Sequence, residues 1–405
     1  MPVKPFPSLV DLTSAHIAEH ARANDEPEWL VERRVEAWEF FVQAVPPEWR
    51  RTDLTQLLPE HITPASTSEG TAIQWDESLA NSGVVFAPLI SATRSHEQLV
   101  REKLGSAIPP LTNKFSALRA ALWQDGVLLY VPRHTTVEVP LRVCYTLGDG
   151  NRSLFPYSLV VLEDGARVTF LEDFASRDSA QTVLAGPTTE IFLGEESEIR
   201  FVSMQQWGAN VYHIGGQVQV FGRNAKSEWV SLSLGGHTQH VEAEVRLQGD
   251  GSQVNWYGAT CGNKQQNLLT APTLSHSGSH TESHLDFRTV VTDKAYSVFD
   301  GMIKIVKGSH ATTTRLEEHS IHLSPEARSD SIPGLKIDTN DVASAGHAAT
   351  SGQVDDEMLF YMQSRGIDKS EAVRMIVMGV FAPALNAIPL EELRESLMVA
   401  IEGKI

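Results

Sequence analysis

The chain has 405 residues, 41% hydrophobic and 21% charged, an ordinary globular composition with ample apolar material for a large core. With 51 Asp and Glu against 33 Lys and Arg, its net charge of −18 disfavours nucleic acid and anionic membrane, whose recognition needs clustered basic residues. No stretch reaches the ~20 apolar residues of a transmembrane helix, and the two cysteines, Cys144 and Cys261, exclude a disulfide framework and a cysteine-only metal site within one chain.

The opening MPVKPFPSLVDL lacks the apolar run of a secretory signal, so the expected compartment is the reducing cytoplasm. From Asp25, read as an N-cap, the residues Leu30, Val31, Val35, Trp38, Phe41, Val42 and Val45 fall on one helical face. Pro46 and Pro47 stop that helix. WRRTDL (Trp49 to Leu54) follows, and the polar PASTSEGT (Pro64 to Thr71) reads as loop. A helix is predicted from about Ser95 to Leu104, and another begins at KFSALRAALW (Lys114 to Trp123). Residues 1–124 are thus expected to form an N-terminal helical region.

From Gly126 to about Ile337 helical periodicity gives way to short runs in which apolar and polar residues alternate, ending in Gly, Asp or Asn. A small residue, an alternating strand and an inward aromatic recur, the aromatics being Phe170, Phe201, Trp229, Trp256 and Phe299. Their intervals suggest stacked coils, because one coil cannot bury its apolar face alone. A β-sandwich also yields many short strands, but the repeat favours a β-helix-like solenoid over 125–342.

Residues 343–405 return to helix. VDDEMLFYMQSRG (Val354 to Gly366) begins acidic and ends in glycine, and Asp368 with Glu371 forms a capping pair for the next helix. Pro383 is expected to end that helix, and Pro389 to open the last one. The face Leu390, Leu393, Leu397, Ile401 must pack either on this chain's core or on a partner.

Fingerprints for a P-loop, a dinucleotide, a nucleophile elbow and a zincin are absent. Three histidine groups stand out instead. His276, His280 and His284 are spaced four apart, as one metal-binding face would require, though Gly278 and the serines between them favour a hydrogen-bonded loop. His237 and His240 have an odd separation that sends them to opposite strand faces, which rules out a cupin-type metal site. Glu242 and Glu244, by contrast, share a face. His347 is expected between an extended segment and a helix, flanked by small residues, and is a candidate ligand.

SDSIPGLKI (Ser329 to Ile337), NDV (Asn340 to Val342) and AGHAATSGQVDDEMLFYMQSRGI (Ala345 to Ile367) resemble the SufB/SufD family of iron–sulfur assembly proteins. WRRTDL resembles the SufD branch in particular, and Lys114 to Val143 and Thr292 to Ile305 extend the likeness. The resemblance implies a mainly β fold with α, a right-handed parallel β-helix flanked by N- and C-terminal helical regions. It implies a non-enzymatic scaffold subunit that works with SufB and the ATPase SufC; whether the chain forms a homodimer when alone is left open. It implies no stably bound cofactor in this chain alone, but a transient iron–sulfur cluster in the complex, with His347 the matching ligand. SufC docking maps onto Phe360, Tyr361, Arg365 and Gly366. Two departures stand out. Ala345 replaces a cysteine that some members carry, and EHSIHLS (Glu318 to Ser324) places His319 and His322 where the family has other residues. Competing readings are a β-helix carbohydrate-active enzyme of the secreted type and a metal-binding protein using His276, His280 and His284.

Overall fold

Strands rich in β-branched and aromatic residues can be buried on both faces only if something covers each side. The computed structural model, which describes residues 5–65, 70–124, 126–147 and 152–405, supplies that cover. Two sheets face each other across a shared interior, and alternate strands along the chain belong to alternate sheets, so that each turn adds one rung to both. The first sheet contains eight parallel strands, from Leu141–Thr146 through Arg167–Ala175, Glu198–Gln206, Lys226–Ser233, Gln253–Gly262, Glu282–Val291 and Thr312–His322 to Val342–Gln353. The fold is therefore a parallel β-solenoid of about eight turns. At its start, the four-residue strands Thr71–Gln74 and Val85–Pro88 join the two sheets antiparallel. The region expected to be helical thus also contains strands. Residues 66–69 of the expected loop lie outside the described residues.

Parity along the strands decides what enters the interior. Phe170, Phe201, Trp229 and Trp256 are in register on successive strands of the first sheet. Phe170 stacks on Phe201 at 5.8 Å between centroids, and Trp229 on Trp256 at 3.8 Å with 6° between planes. The repeat in the sequence is this aromatic ladder. Its fifth member departs from it, because Phe299 lies on Tyr296–Phe299 in the opposite sheet and packs against Phe287. Beyond Trp256 the ladder continues instead through Leu285 and Leu316.

Helices cover the outer faces. Helices α1 (Ser14–Ala23), α2 (Glu28–Gln43), α3 (Leu89–Ser95), α4 (Glu97–Lys103) and α5 (Lys114–Leu122) belong to the N-terminal region. Their buried residues pack with Leu128, Leu159, Val161, Leu184, Tyr212 and Ile214 of the second sheet. The N-cap of α2 is Pro27, not Asp25, which adopts a left-handed φ of 55° in the turn before it. Arg34 on α2 is buried, yet both its charge and its donors are met. It forms an ion pair with Glu26 at 2.6 Å, donates to the carbonyls of Ala121 and Trp123, and lies over the Trp123 ring. The expected apolar face of α2 runs out at its C-terminal end, where Val42 and Val45 are exposed.

At the other end of the chain come α6 (Asp356–Ser364), α7 (Lys369–Asn386) and α8 (Glu391–Glu402). Leu393, Leu397 and Ile401 are buried with Val377, Phe381 and Leu385 against Val202, Val230, Leu232 and Val290 on the outer face of the first sheet. The apolar stripe of α8 is thus covered by this chain. Pro383 lies inside α7 rather than ending it. The residue one turn earlier, whose carbonyl the proline ring crowds, is Gly379, and the buried Phe381, Ala384 and Leu385 hold the last turn in place. Residues 343–353, expected in the helical region, are the solenoid's last strand. Among the described residues no helix is long and apolar enough to cross a membrane.

The interior is not wholly apolar. Glu172 is buried and accepts hydrogen bonds from Ser158 at 2.5 Å, Thr189 at 2.9 Å and Gln217 at 3.3 Å. Burial raises its carboxyl to about 7 against the pull of those donors. The native state therefore holds a proton that an unfolded chain, with an ordinary value of 4.5, releases first. The stability this provides is complete below the unfolded value and is lost as pH rises through about 7. Glu172→Gln is expected to flatten that dependence, gaining about 1–3 kcal/mol on the parent between about pH 4.5 and pH 8. Paired urea melts measure the difference, and parallel pH profiles would refute it.

Candidate functional site

The last strand, Val342–Gln353, pairs with Thr312–His322 on one side, and among the described residues its other edge is free. The strands opposite, Arg328–Ser331 and Gly334–Ile337, are likewise terminal in their sheet, and Leu335 and Ile337 are exposed. This end of the solenoid is an unfinished coil whose last strand, twelve residues long, is paired on one side only among the described residues. Such an edge is a template for pairing with another chain.

His347 lies in the middle of this strand, not between strand and helix. Its register partner is Leu316, so the imidazole occupies the next position of the interior ladder that runs from Trp256 through Leu285 and Leu316. The preceding members are covered by the coil that follows each of them, whereas His347 is exposed because no coil follows. Among the described residues the ring has no hydrogen-bond or ion-pair partner. Ala345, two residues earlier, packs against the interior core, and beside it Gly346 faces open space.

Polar residues join the last coils around this position. Glu318 is buried and accepts from Ser331 at 2.5 Å and from Ser320, and burial raises its carboxyl. His322 is hydrogen-bonded to Ser329 at 2.8 Å, Ser329 to Ser351 at 3.1 Å, and His319 to Thr350 at 2.7 Å. His319 and His322 thus hold neighbouring strands together. Glu318, which sequence reasoning missed, was marked only by a carboxylate at an inward parity position.

The other histidines do not converge. His276 is buried, bonded to Thr281 at 2.8 Å and Ser283 at 2.9 Å, and burial lowers its imidazole to about 4. His280 sits in a turn at φ 55°, while His284 meets Glu317 at 3.3 Å. His240 is buried under WRRTDL, where Trp49 stacks on it at 3.6 Å and Thr52 bonds it at 2.7 Å. Burial, then the charge of Arg119, lowers it to about 3. The segment is a strap across the second sheet, with Arg51 reaching Asp330 at 3.3 Å. Among the described residues no group of three metal-ligating side chains comes together. His347 alone could therefore supply one ligand, and any cluster bound there must draw the others from elsewhere. Cys261 is buried against α7 and α8, which raises its thiol to about 11, and Cys144 lies far from it in the chain.

Two residues beyond Gln353, Asp355 caps α6 by accepting from the Glu357 backbone. On this helix only Leu359 is buried, while Phe360 is 74% and Tyr361 59% exposed. Arg365 lies over the Tyr361 ring and donates to its hydroxyl at 3.2 Å, and Gly366 takes a left-handed φ of 87° that ends the helix. The four residues expected to dock a partner form one exposed aromatic and basic corner.

Comparison with known proteins shows what the chain is similar to. A family model described as SUF system FeS cluster assembly, SufBD core domain, matches residues 145–380, and one described as SufBD protein N-terminal region matches 70–143. The iron–sulfur cluster assembly protein SufD of Bacillus subtilis is 30% identical over 332 residues, covering 81% of this chain and 76% of its own. SufB of the same organism is 26% identical over 444 residues, covering 99% of this chain and 95% of its own. A SufBD family protein of Staphylococcus epidermidis is 26% identical over the same span.

Proposed function

Because the chain belongs to the SufB/SufD family of iron–sulfur cluster assembly proteins, we propose that it is the SufD-type, non-enzymatic subunit of a cytoplasmic scaffold built with SufB and the ATPase SufC. One observation supports this above the others: a solitary, exposed imidazole on the free last coil, at a position of the interior ladder. Neighbouring strands lie ~4.8 Å apart, so a SufB strand added to Val342–Gln353 brings its own side chain about 5 Å from His347. That separation suits two ligands of one cluster. Thiolates from the partner complete a site in which imidazole replaces one sulfur, and incomplete ligation suits a scaffold that must release its product. When SufB is absent, the same edge pairs with a second copy of this chain. SufC engages Phe360, Tyr361, Arg365 and Gly366 and supplies the ATP-driven movement for which this chain has no nucleotide motif.

Co-expression with SufB and SufC followed by anaerobic purification tests the proposal. The expected result is one complex containing all three proteins and carrying iron and sulfide. A chain that purifies alone from the triple co-expression would defeat it.

A further inference from the structure

A second site lies where α5 meets the outer face of the second sheet. Arg119 on α5 is 4% exposed, and its guanidinium carries five N–H donors. Among the described residues they meet a single long hydrogen bond, from Nη1 to the Ile214 carbonyl at 3.4 Å, while Nε has no partner. Two glycines make room for the side chain. A Cβ on Gly186 would press its Cγ at 3.1 Å, and one on Gly216 would come within 2.8 Å of Nη2. The contrast with Arg34, equally buried but paired with Glu26 and two carbonyls, is sharp. A buried cation with no direct ion pair is expensive, and unsatisfied donors of this kind call for an explanation, of which a bound ligand is one.

Arg119 lines a groove of about 330 Å³, within the size range of small-molecule sites. Ile108, Pro109 and Val218 supply apolar wall, and Asn113 supplies amide polarity. Glu242 and Glu244 also line it. Glu244 is already engaged, by Arg246 at 2.7 Å and Ser275 at 2.8 Å, but Glu242 is exposed with no ion pair among the described residues. Glu242 is the foremost of the charges that oppose the effect of burial on Arg119. Lys304 and Arg246 also line it. We propose that this groove binds a small amino acid as its zwitterion, with the carboxylate on Arg119 and the ammonium on Glu242. Glu242, which has no ion pair among the described residues, disfavours a polyanion, and the apolar wall accommodates a short side chain.

Isothermal titration of the full chain with glycine, L-alanine and L-serine, against acetate and inorganic phosphate, tests this. The amino acids are expected to bind and acetate to bind at least tenfold more weakly. Glu242→Gln should weaken amino-acid binding at least tenfold while leaving acetate binding no weaker, in a protein whose circular dichroism shows it folded. Gly216→Ala, which crowds the guanidinium, should abolish binding of both in a folded protein. No heat from any amino acid, phosphate binding more tightly than all of them, or unchanged affinity in Glu242→Gln would each overturn the proposal.

Discussion

His347→Ala is expected to leave the complex with SufB and SufC intact and to lower its iron and sulfide content at least tenfold. The ring is exposed and, among the described residues, unpartnered, so its loss should move stability by no more than about 0.5 kcal/mol. The edge proposed to pair with a partner is backbone, which the substitution leaves in place. What the substitution removes is an imidazole at the end of the interior ladder, the ligand proposed above. His347→Cys separates ligation from packing, because a thiolate restores a ligand of another shape. Recovery of iron in the cysteine variant supports ligation. An alanine variant that retains wild-type iron would rule it out.

Trp256→Ala is expected to destabilise the protein by about 3–5 kcal/mol, the range for deleting a large buried aromatic. Its ring lies flat against Trp229, and its Nε1 donates to Ser231 at 2.9 Å. The loss falls in a middle coil, so it weakens the interfaces to both neighbours, and stability in a solenoid is close to a sum of such nearest-neighbour terms. Trp256→Phe, which keeps an aromatic ring in the slot, should recover more than half of the loss. Urea unfolding of the three proteins checks both values. A loss below about 1 kcal/mol for the alanine variant would show that the ladder does not hold the coils together.

What could be read in the sequence follows from how local each signal is. Period-two alternation and the recurring inward aromatic are local, and they identified the solenoid and four of the five members of its ladder. The fifth failed because Ala295–Phe299 has the same small-to-aromatic pattern on a strand of the other sheet, and composition does not say which sheet a strand joins. Pro383 misled because tertiary packing holds the final turn: Phe381, Ala384 and Leu385 are buried beyond the crowded Gly379 carbonyl. His347 could be singled out by resemblance alone; its place at the end of the ladder depends on a register accumulated over several coils. Arg119 was invisible, since a lone arginine in an amphipathic helix looks like a surface residue until the sheet beneath it is seen to offer Gly186 and Gly216.

The two ends of the solenoid are unlike, and this limits how far it can grow. The first coil closes on Thr71–Gln74 and Val85–Pro88, which run antiparallel and are four residues long, whereas the last coil offers twelve residues of parallel edge. A molecule with one adhesive end and one blunt end adds a single neighbour and then stops. Pairing through the long edge alone would therefore stop at two molecules, where a ladder with two long edges would seed filaments.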